Sequence, residues 1–134
     1  MAAAAFRLAA FALLAAGCTG VAVDSRTFEG ASWHVTAIEG RPTPATGDYR
    51  VEFRNGGIGG RFGCNGFGGR YSVAGEALIA SDIRSTMMAC SDPAASFEGS
   101  GFAVLRLPMH MQWNGKRNLT LGNAAGSIAL ERVP

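Results

Sequence analysis

Three cysteines, two histidines, a single lysine and one serine set between glycines are the side chains of this chain best suited to chemistry. Cys64 sits in Gly63-Cys64-Asn65-Gly66-Phe67 and Cys90 closes Thr86-Met87-Met88-Ala89-Cys90. A redox dithiol would be expected as Cys-x-x-Cys, with a cluster of nearby basic residues to lower a thiol pKa; the motif is absent and no such cluster is evident. For zinc, the donors are Cys64, Cys90, His34 and His110, whose spacing matches no common zinc motif. Glu98-Gly99-Ser100-Gly101 resembles a fragment of a nucleophile elbow, but it falls inside a predicted helix rather than on a strand-to-helix turn. A serine–lysine dyad would have to use Lys116, which lies in a predicted hairpin turn. The glycine-rich run from Asn55 to Gly69 lacks the lysine and the following helix of a phosphate loop. Met87, Met88, Met109 and Met111 read as core filler. Asn65 and Thr86 read as residues that fix local turns. No complete catalytic constellation emerges, and no cofactor or metal is implied.

Cys18 has a different setting. Met1 to Gly17 carries one charge, Arg7, and a short apolar run that is too brief to span a bilayer and reads as a signal segment over residues 1–17. Leu13-Leu14-Ala15-Ala16-Gly17-Cys18 resembles a bacterial lipobox, with Ala15 where leucine is usual. That resemblance implies acylation of Cys18, a membrane anchor through its lipid, and a tether over residues 18–29. Thr19, in place of the aspartate that retains lipoproteins at the inner membrane, implies an outer-membrane lipoprotein facing the periplasm. Cys64 and Cys90 then remain, 26 residues apart. An exported compartment permits a disulfide between them, worth about 3–4 kcal/mol by loop closure. A structural bridge, two buried free thiols, and a functional redox or metal pair all stay open at this level.

The elements that must position these residues are mostly short strands. With 12 basic against 10 acidic residues, the charge does not suggest nucleic acid as a partner. The 19 glycines fit the turns and close contacts of a β-rich fold. Strands are predicted over Ser32–Ile38, Tyr49–Phe53, Ile58–Phe62, Arg70–Val73, Ala77–Ala80, Met109–Trp113, Asn118–Leu121 and Ser127–Arg132. Asn55-Gly56 and Asn114-Gly115 are two-residue hairpin signals. Asp92-Pro93 opens the one predicted helix, with Asp92 as cap and Pro93 in the first helical position. Its apolar face would be Phe97, Gly101, Val104 and Leu105. The expected fold is α+β, a curled antiparallel sheet forming a partial barrel of short strands with one main helix, over residues 30–134.

The two cysteine segments together resemble a known pattern. Gly63-Cys64-Asn65, Phe67, Gly69 and Tyr71, followed by Thr86, Met88, Ala89 and Cys90, are similar to the signature of the META domain of HslJ-like bacterial envelope lipoproteins. Trp33, Glu98 and the closing Leu119, Leu121, Gly126, Ile128 and Leu130 fit the same pattern. The resemblance implies an exported, often lipid-anchored, non-enzymatic protein linked to heat shock and novobiocin resistance, with an envelope protein as possible partner. The signature positions are not an active site in that family. Two other expectations stand beside it: a small-molecule or peptide binding module, and a thiol-dependent or metal site at Cys64 and Cys90.

Overall fold

A computed structural model describes residues 28–134. The signal segment, Cys18 and residues 19–27 of the tether lie outside the described residues. Nine strands and one helix follow in the order β1 (Ser32–Ile38), β2 (Arg41–Pro42), β3 (Tyr49–Arg54), β4 (Gly57–Phe62), β5 (Gly66–Ala74), β6 (Ala77–Ser85), α1 (Ala94–Leu105), β7 (Met109–Asn114), β8 (Asn118–Asn123) and β9 (Gly126–Arg132). All pairings are antiparallel. They run β1-β3-β4-β5-β6-β7-β8-β9, and β9 returns to pair with β1. The curl expected from the sequence is therefore carried to closure, as an eight-stranded barrel with β2 as a short flap on β1.

Alternation explains the inward set. Trp33 and Val35 on β1, Tyr49, Val51 and Phe53 on β3, and Leu119 and Leu121 on β8 are buried, while their neighbours are more exposed; a register shift between Val35 and Ala37 then turns Ile38 inwards in place of Ala37. Asn55 and Gly56 both take positive φ, 53° and 72°, and Arg54 pairs with Gly57, so this turn is the two-residue type the sequence announced. The second hairpin differs. Asn114 pairs with Asn118, leaving three residues in the loop. Asn114 stays in the ladder instead of turning, and Arg117, at the end of the loop, is held by β9, its carbonyl accepting the N–H of Arg132 at 2.7 Å.

Strands β5 and β6 run well beyond their predicted limits. A register shift between Gly68 and Arg70, opposite Asp82 at φ 52°, breaks the alternation that would have betrayed them. Helix α1 buries Phe97, Gly101, Val104 and Leu105, as its spacing predicts. It starts one residue later than read, with Pro93 as the flanking residue. Asp92 still accepts the N–H of Ser96 at 3.2 Å, so its capping role survives the shift. Gly101 is needed because a Cβ there would lie 2.5 Å from the ring of Phe62.

The barrel has two ends. One carries the Asn55-Gly56, Gly75-Glu76 and Gly115–Arg117 turns and the last residue of β9. Phe28 fills it from inside, fully buried, with its ring 5.0 Å from Phe53, 5.8 Å from Trp113 and 6.3 Å from Trp33. The folded unit thus takes in Phe28 and Glu29, two residues ahead of the boundary at Gly30. The other end is closed by α1, which packs against β1, β4 and β9. Trp33 and Trp113 bury their indole N–H groups at the Phe28 end without a hydrogen-bond partner among the described residues.

Candidate functional site

Cys64 and Cys90 are joined by a disulfide, with Cα atoms 6.2 Å apart, inside the range a bridge permits. Cys64 lies in the link between β4 and β5. Cys90 ends the irregular passage from Thr86 that carries the chain from β6 towards α1. The bridge pins that passage, which has no ladder of its own, to the barrel.

Asn65 does the rest of the pinning. It is the one buried polar residue in the described core, 5% exposed. Its Oδ1 accepts the N–H of Met88 at 2.7 Å and the hydroxyl of Thr86 at 2.9 Å. Its Nδ2 donates to the carbonyl of Met88 at 3.2 Å and to Glu98 Oε2 at 2.9 Å. Its backbone N–H donates to Glu98 Oε1 at 2.7 Å. The Thr86 hydroxyl in turn accepts the N–H of Gly66 at 3.1 Å. Asn65 and Thr86 were expected to bond locally. Instead they bridge segments some twenty residues apart, because a side-chain amide can serve a strandless stretch of backbone as a strand would. Glu98 projects from α1 to complete the cluster, so helix, loop and barrel meet at one amide.

The other signature positions serve packing. Gly63, at φ 101°, admits the Tyr49 side chain, whose hydroxyl would lie 2.6 Å from a Cβ. Phe67 stacks on Phe62 with centroids 5.0 Å apart. A Cβ on Gly69 would lie 2.6 Å from the carbonyl oxygen of Ser81. Tyr71 belongs to the opposite end of the barrel. Its ring meets Phe53 at 4.9 Å and its hydroxyl donates to Glu29 at 2.7 Å. Glu29 also accepts the N–H groups of Asn55 and Gly56 at 2.8 and 2.9 Å. The Tyr71 and Gly56 bonds hold the Glu29 carboxyl below its ordinary pKa. Burial, then the adjoining carboxylate, raises Tyr71 above the usual phenol range. Glu29 was not singled out from sequence. Its signal would have been an acid just before a strand and within reach of an Asn-Gly turn.

Two methionines break the core-filler expectation. Met109 and Met111 are buried, but Met87 is 94% exposed and Met88 53% exposed. Asn65 takes the backbone of Met88, so the segment is held by its polar atoms and its side chains are left outside. Ala89 is exposed as well.

A sulfur each from Cys64 and Cys90 and a carboxylate oxygen of Glu98 lie within 4.8 Å of one another. With the sulfurs bonded to each other neither is a thiolate, the form that coordinates a metal, and Glu98 already accepts two bonds from Asn65. His34 and His110 do not join the group. His110 faces Glu76 at 3.9 Å, at the other end of the barrel. Ser100 donates to Glu39 at 3.3 Å on the exposed side of α1, and Lys116 lies in the turn after β7. No dyad forms between them.

The class of domain is a closed antiparallel barrel stoppered by a helix, with the passage before that helix stapled to the barrel by a disulfide and the signature side chains bonded to one another. The family model of the META domain matches residues 26–132, and the chain belongs to that family. One solved relative, an NMR structure, superposes with a TM-score of 0.71 at 19% identity, covering 81% of this chain and 94% of its own. A second, an NMR structure of a protein from Burkholderia xenovorans, gives 0.67 at 20% identity, covering 81% and 85%. Both share the fold. No curated protein matches the chain.

Proposed function

We propose that this protein is a non-enzymatic envelope module, exported, held to the outer membrane by a lipid on Cys18 and facing the periplasm, which contributes to tolerance of envelope stress such as heat or novobiocin. The observation that carries the reading is how the signature residues spend their polar atoms. Cys64, Asn65, Thr86, Cys90 and Glu98 satisfy one another, leaving a rigid surface rather than a reacting group. Such a module works by contact. The test is deletion of the gene and complementation with the wild type, Cys18→Ser and Cys64→Ser/Cys90→Ser. The reading expects heat or novobiocin sensitivity on deletion, rescue by the wild type, and loss of rescue by Cys18→Ser. No sensitivity on deletion would remove the stress role, and a mass map showing unmodified Cys18 would remove the anchor.

A second reading, a peptide-binding module, is favoured by a groove of about 360 Å³ between β6 and α1.

A further inference from the structure

We infer that the outer edge of β6 and the groove beside it form a docking site for an extended segment of another protein, added to the barrel as a strand and alternating acidic with apolar side chains. The inference deepens the peptide-binding reading and does not depend on the lipid anchor.

The seam between β6 and β7 is the weak joint of the barrel. Only Ala77 and Leu78 of β6 pair with β7, through His110 and Met109. From Ile79 to Ser85, β6 has β5 on one side and, among the described residues, no strand on the other. The two-residue turn pairs Ala74 with Ala77, so Ala77, Ile79 and Ser81 aim their backbone groups at β5, while Leu78 and Ala80 aim theirs outwards. Those of Leu78 meet β7, and those of Ala80 meet no strand. Open backbone groups of this kind, beside the bulge at Asp82, are a template for a further strand.

The groove lies against this edge. Ala80, Ser81, Asp82, Ile83 and Ser85 form one wall, and Phe102, Leu105 and Arg106 of α1 form the other. Ile83 and Phe102 are half-buried against the core, giving an apolar floor, and Leu107, 47% exposed, follows Arg106 at the rim. In an added strand, every second side chain would enter the groove and the alternate ones would lie on the outer face.

Charge selects the occupant. Arg70, Arg84 and Arg106 are exposed and make no ion pair among the described residues, against the single acid Asp82. Arg84 is on the edge strand itself, and Arg70 lies opposite Ser81 on β5. Acidic side chains on the outer face of an incoming strand would meet Arg84 first, while apolar ones would cover Ile83 and Phe102.

The test uses the folded protein labelled with ¹⁵N and a capped seven-residue peptide alternating glutamate and valine. The expected result is saturable shifts of amide resonances confined to residues 79–85 and to Phe102–Leu107. A peptide with lysine for glutamate, or one N-methylated at alternate residues, should not bind. The surface variant Arg70→Glu/Arg84→Glu, reversing the two arginines on the outer face, should keep its spectrum and lose roughly tenfold or more in affinity, as expected for two exposed charge pairs reversed. Ala80→Pro should remove the ladder donor and also abolish binding. Unshifted amides at 79–85, or equal binding of the lysine peptide, would overturn the proposal. So would a concentration-dependent dimer that shifts the same amides without peptide, because a second copy would then fill the edge.

Discussion

The two ends of the barrel are closed by the same device used in two ways. At each, a glutamate accepts backbone N–H groups from the link between two strands: Glu29 from Asn55 and Gly56, and Glu98 from Asn65. At the Phe28 end the carboxylate sits over an aromatic plug, and the chain is held by packing. At the α1 end it joins a buried amide and a disulfide, and the chain is held by polar and covalent bonds. The difference follows from what each end must fix. Phe28 precedes a regular strand and needs only a socket. Thr86 to Cys90 has no ladder of its own, so its backbone groups require partners.

Breaking each end in turn tests that contrast. Phe28→Ala empties the aromatic socket and should cost about 3–5 kcal/mol in urea unfolding. A loss below about 1 kcal/mol would mean that the tether end contributes little. Removing the bridge with Cys64→Ser/Cys90→Ser should cost about 3–4 kcal/mol while leaving the near-ultraviolet signal of the Trp33, Trp113 and Phe28 cluster intact. A change in that signal would show that the ends are not separate. Asn65→Ala should cost about 2–3 kcal/mol by leaving Met88 and Glu98 unpaired, and proteolysis should then cut first near Met87. The smallest effect belongs to Glu29. Its pKa is lowered on folding, so its contribution is full above the ordinary carboxylate pKa and is lost as pH falls through the folded value. Glu29→Gln should therefore be less stable than wild type at pH 7, and the gap should narrow on acidification. A gap that holds constant to pH 2 would contradict the assignment.

Much of the frame could be read in advance. The Asn55-Gly56 turn, the alternating strands around it, the apolar face of α1 and the two cysteine segments follow local rules, and the structure keeps them. What escaped is non-local. The bulge at Asp82 breaks the period of β6, and the partners of Asn65 are set by where β6 delivers Thr86. Barrel closure depends on β1 meeting β9 across almost the whole domain. The outward turn of Met87 and Met88 is equally hidden, since methionine in a signature segment reads as core until the backbone around it is seen to be held from inside.

The short seam between β6 and β7 also sets a clock. A hoop joined at one place by two paired residues and the bond from the Met111 N–H to the Glu76 carbonyl opens there most often, while the remaining strand pairs stay shut. In deuterated buffer the amides of Leu78 and Met109 should exchange earlier than those of Leu119, Leu121 and Leu130, and a strand bound to the edge of β6 should slow them.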